Sequence, residues 1–237
     1  MKLSAPIYHL KRKAKLLSRE ENTPLHIALD RIAAKEGFSS WSLLAAKVSR
    51  AVPVSELFAR LSPGDLVLVG ARPGQGKTLM SLGLAVEAMK SGNRSVFFTL
   101  EYTEQDILNR SRVIGAELAH FGGLFEFDNS DAISADHIVK KLESAPRGTL
   151  AVIDYLQLLD QKRENPELMP QVRKLKLFAR NRGLILVFIS QIDRSYDPSK
   201  KPCPDISDVR LPNPLDLSLF DKTCFLNNGE IRFQAAS

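Results

Sequence analysis

A run of nine residues has the composition of a phosphate-binding loop. Residues 70–78 read GARPGQGKT and are close to the pattern G-x-x-x-x-G-K-T, with Ala71 at the first position of the pattern and Gly70 directly before it. An apolar run precedes these residues, and a helical pattern follows them. Glycines suit such a loop because its backbone N–H groups must approach phosphate oxygens closely. The alternative interpretation is a glycine-rich turn that arose by chance. We expect nucleotide contacts from this loop and the residue after it, namely Gly70, Arg72, Pro73, Gly74, Gln75, Gly76, Lys77, Thr78 and Leu79.

Two side chains at the end of this loop have the chemistry to hold a nucleotide and its metal ion. The Lys77 ammonium group would reach the β and γ phosphates and assist catalysis, and the Thr78 hydroxyl would bind Mg²⁺. A helix predicted to begin at Lys77 would direct the positive end of its dipole toward the same phosphates. The loop therefore predicts a nucleoside triphosphate and Mg²⁺ as cofactors.

Two acids and an amide stand at the carboxyl ends of apolar runs that are typical of buried strands. Asp154 is a candidate Mg²⁺ ligand, Glu101 a candidate general base for water attack, and Gln191 a candidate catalytic sensor of the γ-phosphate. The carboxyl ends of parallel strands gather along one edge of a sheet, where ligands bind. The alternative for each side chain is a helix cap or an ordinary surface position.

The elements that must position these residues follow from the alternation of short apolar runs and helical patterns after Asp65. That alternation predicts an α/β fold with a mostly parallel central sheet flanked by helices. Residues 193–216 contain five prolines and predict a long loop, a feature that is usually functional or mobile. We predict strands at 66–70, 95–100, 124–127, 150–154 and 184–190, a hairpin of 222–226 and 231–234 around Asn228-Gly229, and helices at 77–90, 104–118, 135–143 and 166–182.

The positive charge of the chain is concentrated in residues 1–50. That segment has 10 Lys/Arg against 4 Asp/Glu, whereas residues 51–237 have 23 of each, so the whole formal charge of +6 lies in the first segment. We therefore expect two domains, a basic three-helix segment over 1–50 and the α/β domain over 51–237. A basic segment suggests nucleic acid as a partner, with Lys11, Arg12 and Lys13 as candidate contacts. A solvated helix face is the alternative.

Capping signals give the three short helices their predicted limits. Ile7, Leu10, Ala14 and Leu17 recur at helical spacing in the first. In the second we expect Thr23 as the N-cap, Pro24 as the first helical residue and Gly37 as the stop. The third is expected to begin after Ser39 and Ser40 and to include Trp41, Leu44, Ala45 and Val48.

Five motifs, in order along the chain, resemble the ATPase domain of replicative hexameric helicases of the DnaB type, within the RecA-like P-loop class. The resemblance implies ATP hydrolysis in a ring assembly, with ATP at subunit interfaces and single-stranded DNA in a central channel. It also implies Lys77 and Thr78 as phosphate and Mg²⁺ contacts, Glu101 as catalytic base, Asp154 as a metal-shell acid, and Gln191 as the link between nucleotide and DNA loops. The motifs are residues 62–78, 97–101, 153–158, 190–194 and 206–210.

Two departures from that family affect what the resemblance implies. The family has a sizeable helical domain before the ATPase domain, which the three short helices do not resemble. The family also has a Lys-x-Arg finger on a late strand, whereas residues 224–230 read CFLNNGE and contain neither cation. Because such a finger contributes about 10³–10⁵ in rate, we expect turnover to be slow or dependent on a partner.

Cations in two loops are candidate contacts for DNA phosphates. Arg163 and its neighbour Lys162 follow the motif at residues 153–158. The other candidates lie in the long loop over 193–216: Arg194, Lys200, Lys201 and Arg210. Such cations would bind a single strand without reading its bases. Solvated loop charges are the alternative interpretation.

Composition excludes several other classes of protein. No apolar run reaches the roughly 18 residues of a membrane helix, so we expect no membrane contact and a cytoplasmic location. Cys203 and Cys224 have no metal-ligand spacing, and the four histidines are interpreted as ordinary because they lack ligand or dyad spacing. The resemblance to the DnaB-type family, carried by the five motifs, implies a DnaB-like DNA helicase or ATPase in DNA replication. An ATP-gated regulatory switch and a catalytically weak RecA-like interaction module are the alternatives.

Overall fold

A computed structural model describes residues 4–5, 7–48, 54–160, 166–198, 201, 203–211 and 213–235. Contacts within the chain separate two compact units. The first comprises Met1–Val52 with Asn228–Glu230, and the second comprises Pro53–Asn227 with Ile231–Ser237. None of the described helices is both long and apolar enough to cross a membrane.

The N-terminal unit is built from three helices around a small apolar core. They are α1 (Ile7–Glu20), α2 (Leu25–Lys35) and α3 (Trp41–Val48). Arg12, Lys13 and Lys15 are exposed on α1, so that helix is amphipathic. The Ser40 hydroxyl accepts the N–H of Leu43 at 3.3 Å and caps α3. The core residues are Leu10, Ala14, Ala28, Ile32, Ala33 and Leu44.

The predicted N-cap of the second helix is wrong. Pro24 occupies the cap position of α2 with φ −54° and ψ 139°, and no side chain caps the helix. Thr23 instead belongs to the end of α1, because its N–H donates to the carbonyl of Ser18 at 3.1 Å and its carbonyl accepts the Ser18 hydroxyl at 2.7 Å. The predicted stop agrees with the structure, since Gly37 has a left-handed φ of 82°.

The second unit contains a seven-stranded sheet in the order β3-β2-β4-β5-β1-β6-β7. The strand pairs from β3 through β6 are parallel. The predicted hairpin is β6 and β7, which extend the sheet at the β1 side, and the α/β architecture predicted from the sequence is confirmed. The strands are β1 (Leu66–Ala71), β2 (Ser95–Thr99), β3 (Phe125–Asp128), β4 (Leu150–Asp154), β5 (Ile185–Gln191), β6 (Lys222–Asn227) and β7 (Glu230–Ala235).

Of the described helices of this unit, one precedes the first strand and the other four lie between successive strands. The predicted helix from Glu104 is shorter than expected, because the chain turns at Gly115, whose φ is 79°. The region 193–216 contains only a short 3₁₀ turn at Ile206–Asp208 and a bridge between Ile192 and Val209 within its described residues. The helices are α4 (Val54–Phe58), α5 (Lys77–Lys90), α6 (Glu104–Val113), α7 (Ala135–Lys141) and α8 (Leu168–Arg182), with 3₁₀ turns at Leu118–Phe121, Leu156–Asp160 and Leu217–Leu219.

Candidate nucleotide-binding site

The sheet order brings the predicted site residues to one edge. β2, β4, β5 and β1 are consecutive neighbours. Thr99 pairs with Asp154, and Ala71 pairs with Gln191, so these strands end at nearly the same level. Glu101 follows two residues after Thr99, and the phosphate loop begins with the last two residues of β1, Gly70 and Ala71, and continues to Thr78. The carboxyl edge therefore holds a base candidate, a metal-ligand candidate, an amide and the glycine-rich loop side by side.

Two glycines give the loop its backbone conformation, and a third provides space. Gly74 and Gly76 have φ of 74° and 88°, in the left-handed region that favours glycine. A Cβ on Gly76 would contact no described atom within 4 Å, so conformation is what requires glycine there. At Gly70 the reason is steric, because a Cβ would lie 2.7 Å from Cε1 of Phe225. Gly76 is the N-cap of α5, whose dipole thus ends at the loop.

Asp154 and Thr78 form the buried polar pair beneath this loop. The Thr78 hydroxyl donates to Oδ2 of Asp154 at 3.3 Å. The Asp154 side chain is fully buried, and its Oδ1 has no hydrogen-bond partner within the described part of the chain. A hydroxyl beside a carboxylate with an unpartnered oxygen suits Mg²⁺, which prefers hard oxygen ligands. Both residues therefore fit the expected metal.

The charges around Asp154 act in opposite directions on its ionisation. Burial, and next the negative charge of Glu101, raise the pKa of Asp154 to about 7. The charge of Lys77, the hydrogen bond from Thr78 and the charge of Arg110 lower that pKa. A divalent cation beside the carboxylate would favour its charged form.

Arg110 is a neighbour of the site that the sequence did not reveal. Its guanidinium lies 4.2 Å from the centroid of the Tyr102 ring, and Tyr102 follows Glu101. Its Nε is buried without a described partner. Glu101 itself is exposed, and its N–H donates to the Thr99 hydroxyl at 3.0 Å. Arg110 and Tyr102 are eight residues apart, on either side of the start of α6. No sequence motif predicts a contact between two residues at that spacing.

Gln191 is joined to the motif at residues 206–210. Arg210 donates from its backbone N–H to the carbonyl of Gln191 at 2.8 Å and from Nη1 to its Oε1 at 3.4 Å. Gln157 donates to the Arg210 carbonyl at 2.8 Å and to the Ser190 hydroxyl at 3.4 Å. The sequence placed Gln157 in a motif but gave it no role, because its partners are distant in the chain.

The candidate DNA contacts differ in how free their charges are. Arg194 and Arg210 are exposed. Lys201 forms ion pairs of 2.6 Å with both Asp205 and Asp208, and the first of these helps to lower the pKa of Asp205 to about 2. Arg163 and Lys200 lie outside the described residues, as does Lys162.

Among the N-terminal candidates, Lys11 is half-buried while Arg12 and Lys13 are exposed. Burial, followed by the charge of Lys15, lowers the pKa of Lys11. The exposed face of α1 therefore presents Arg12, Lys13 and Lys15 more fully than Lys11.

His137, interpreted as an ordinary histidine from its spacing in the sequence, has an acidic neighbour in the structure. His137 Nε2 lies 3.1 Å from Oδ2 of Asp128, whose side chain is 7% exposed. The pair joins the end of β3 to α7, and its nine-residue separation is set by the connecting turn. No group of three or more potential metal-ligating His, Cys, Asp or Glu side chains occurs among the described residues.

With this geometry established, comparison with known proteins identifies the family. The model of the DnaB-like helicase C-terminal domain matches residues 52–120 and 125–215. The chain belongs to this family. The match includes the phosphate loop, the strands β4 and β5 that end at Asp154 and Gln191, and β2 with Glu101 two residues after its end.

Individual relatives of this DnaB-like chain are distant and longer. The replicative DNA helicase DnaB of Synechocystis is 29% identical over 181 residues, covering 63% of this chain and 21% of that protein. The DnaB of Geobacillus stearothermophilus is 28% identical over 178 residues, covering 62% of this chain and 39% of that protein. The chain thus spans well under half the length of these relatives.

Solved structures share the fold. A DnaB-like replicative helicase, described with its interactions with primase, gives a TM-score of 0.61 at 18% identity, covering 97% of this chain and 71% of that one. A KaiC-like protein from Pyrococcus horikoshii gives a TM-score of 0.51 at 17% identity, covering 68% of this chain and 70% of that one. The RecA-like fold predicted from the sequence is confirmed.

Proposed function

We propose that this chain is an ATPase of the DnaB-like helicase type, which binds MgATP and couples its hydrolysis to single-stranded DNA. The observation that carries the proposal is the buried Thr78–Asp154 pair, 3.3 Å apart, at the base of a loop with two left-handed glycines. A buried carboxylate oxygen without a described partner is unfavourable unless a ligand completes the site. Membership of the family supports the same interpretation of the loop.

The residues of the loop divide the work of binding. Lys77 supplies the positive charge for the β and γ phosphates, and the N–H groups at the start of α5 bind the phosphate oxygens. Thr78 and Asp154 hold Mg²⁺, directly or through its water shell. When bound, Mg²⁺ would neutralise phosphate charge and orient the γ-phosphate for attack.

Two further residues act at the γ-phosphate. Glu101 is exposed beside the site and accepts a proton from the attacking water as general base. Gln191 senses the γ-phosphate and transmits its presence to Arg210 through the hydrogen bonds between them. Exposure of Glu101 suits this role, because water must reach the carboxylate.

DNA and further copies of the chain are the proposed partners. Arg194 and Arg210 are exposed cations on the segments that follow Gln191, where they would bind DNA phosphates. A homo-oligomer, with the hexameric ring as the family arrangement, would place several such segments around one strand. The basic segment over 1–50 would add affinity for nucleic acid.

Steady-state ATP turnover with and without a single-stranded oligonucleotide tests the proposal. We expect Mg²⁺-dependent turnover that rises several-fold with DNA. The Lys77→Ala variant measures any contaminating ATPase. Absence of nucleotide binding in calorimetric titration would contradict the proposal, because ATP binding is its first step.

An ATP-gated switch is the second candidate, and one sequence feature favours it. Residues 224–230 contain no Lys or Arg to act on a neighbour's γ-phosphate, and the nearby Lys222 is engaged by Asp65 at 2.6 Å. In a switch, ATP would drive assembly while hydrolysis stays slow. Mass measurement of the assembly state with ATP, beside the turnover assay, separates the two. ATP-dependent assembly without DNA-stimulated turnover would favour the switch.

A further inference from the structure

One side chain of the phosphate loop is bonded to a distant part of the chain. Arg72 donates from Nη2 to the carbonyl of Arg194 at 3.4 Å and from Nη1 to the carbonyl of Tyr196 at 3.5 Å. These carbonyls belong to residues 193–197, which we call the β5 exit segment because it follows the end of β5. A single guanidinium thus connects the loop after β1 with the segment after β5.

The β5 exit segment has further hydrogen bonds, both within it and to the rest of the chain. Within the segment, the Ser195 N–H donates to Oδ1 of Asp193 at 2.9 Å and the Tyr196 N–H donates to the Asp193 carbonyl at 3.3 Å. The Asp193 N–H donates to the carbonyl of Asp208 at 2.8 Å. Tyr196 is 5% exposed, and its hydroxyl donates to the carbonyl of Lys201 at 2.7 Å and accepts from Asn227 Nδ2 at 3.3 Å. Between these anchors, Arg194 is exposed, and its carbonyl is one of the two that accept from Arg72.

The chemistry of Arg72 offers it two kinds of acceptor. Neutral carbonyl oxygens at 3.4 and 3.5 Å form weak hydrogen bonds with its guanidinium. Phosphate oxygens form charge-assisted bonds about twice as strong, and the planar guanidinium suits them in pairs. A triphosphate in the loop would therefore compete with the carbonyls for the same donor groups.

We propose that Arg72 is a latch that holds the β5 exit segment while the phosphate loop is empty and releases it when nucleotide binds. Arg72 is a positioning residue in this role, acting on Arg194 through the backbone carbonyls. The inference rests on the proposed nucleotide binding and adds a second route between loop and segment. It differs from the Gln191 route because it begins at the phosphate loop itself.

Limited trypsin digestion of the full chain tests the latch. Cleavage after Arg194 is quantified by mass spectrometry, without nucleotide and with Mg²⁺ and a non-hydrolysable ATP analogue at a concentration that saturates each variant in titration. For the wild type we expect cleavage about fivefold faster with the analogue. The reason is that a segment released from Arg72 unfolds locally more often and so binds in the active site of trypsin more readily. Arg72 precedes Pro73, so substitution of Arg72 changes no tryptic site.

Two variants at position 72 distinguish nucleotide-dependent release of the β5 exit segment from a general loss of stability. Arg72→Ala should be cleaved as fast without nucleotide as the wild type is with it, so that its response ratio falls to about one. Arg72→Lys, with one compact ammonium group, should give an intermediate ratio and keeps the test valid if Arg72→Ala folds poorly. Arg173→Ala, which removes an exposed cation from α8, is the control and should keep the wild-type ratio.

The outcomes distinguish the latch from the function on which it rests. A variant at position 72 that keeps the full wild-type ratio overturns the latch, whatever its cleavage rate. Unchanged cleavage in a wild-type chain that does bind the analogue overturns the latch alone. A wild-type chain that does not bind the analogue in titration contradicts the proposed function instead.

Discussion

Asp154 has no exposed surface, yet one of its oxygens has no described hydrogen-bond partner. At the scale of single residues, such a group is unusual because burying a polar atom without a partner costs free energy. Thr78 contacts the other oxygen, and Lys77 and Glu101 act on the same carboxylate with opposite charge. These four side chains give the site distinct roles that substitution can separate.

Lys77→Ala should weaken MgATP binding by about a hundredfold or more, because the ammonium is the compact positive charge at the start of α5. Calorimetric titration measures the affinity, and circular dichroism checks that the fold is kept. Lys90→Ala, at the exposed end of the same helix, is the matched control and should bind as the wild type does. Equal affinities for Lys77→Ala and wild type would remove the basis for the loop assignment.

Glu101→Gln should preserve ATP binding and lower turnover by about 10²–10⁴, since an amide keeps the shape but cannot accept the water's proton. Single-turnover hydrolysis and nucleotide affinity are measured on the same preparation. Glu104→Gln, an exposed acid in the first turn of α6, should leave both values unchanged. Wild-type turnover in Glu101→Gln would mean that another group is the base.

At the scale of elements, β1 and β6 approach closely where the phosphate loop begins. Gly70 pairs with Phe225 in the register of these parallel strands. A Cβ on Gly70 would lie 2.7 and 2.8 Å from two ring carbons of Phe225 and 3.3 Å from Cδ1 of Ile192. The glycine thus lets the loop leave the sheet beside an aromatic ring that cannot move far in the core.

Gly70→Ala should lower the free energy of unfolding by about 1–3 kcal/mol, the usual cost of overpacking a core. Adding Phe225→Leu to Gly70→Ala should recover part of that stability, because the ring that would clash is removed. Urea denaturation of both single variants and the double variant gives the coupling between the two positions. Strict additivity of the two changes would show that the Phe225 ring does not limit position 70.

Elements with strong local signals were predictable, and contacts between distant residues were not. Both β4 and α5 have the predicted bounds. In β4 a run of four apolar residues is followed by Asp154, and α5 begins directly after its N-cap, Gly76. Gln157 and Arg210 are 53 residues apart, and Arg72 and Arg194 are 122 apart. Such pairings depend on strand order, which local spacing does not encode.

At the scale of the whole molecule, the positive charge and the phosphate loop belong to different units. Residues 51–237 are formally neutral, so nonspecific attraction to DNA at long range must come mainly from residues 1–50. The cations of α1 provide a compact set for that purpose. Nucleic-acid affinity and nucleotide chemistry are therefore expected to respond to different substitutions.

Neutralising Lys11, Arg12, Lys13 and Lys15 together should weaken binding of a labelled single strand and reduce the salt slope by roughly one unit for each phosphate that the variant no longer binds. Fluorescence anisotropy across a range of salt concentrations measures both. The control neutralises four exposed cations of the second unit and so changes the net charge equally: Lys90, Lys140, Arg173 and Arg182. An unchanged slope in the α1 variant would assign its cations to a solvated face.

The two cysteines of the chain make it suitable for site-specific labelling. Cys203 and Cys224 are both buried, and burial raises the pKa of Cys224 to about 12, which suppresses the reactive thiolate. A thiol-exchange dye should therefore react with the wild type only after denaturant is added. A Ser195→Cys variant, whose new thiol replaces an exposed hydroxyl, should accept one fluorophore per chain under native conditions. That fluorophore would report in real time on the backbone next to Arg194 without removal of either native cysteine.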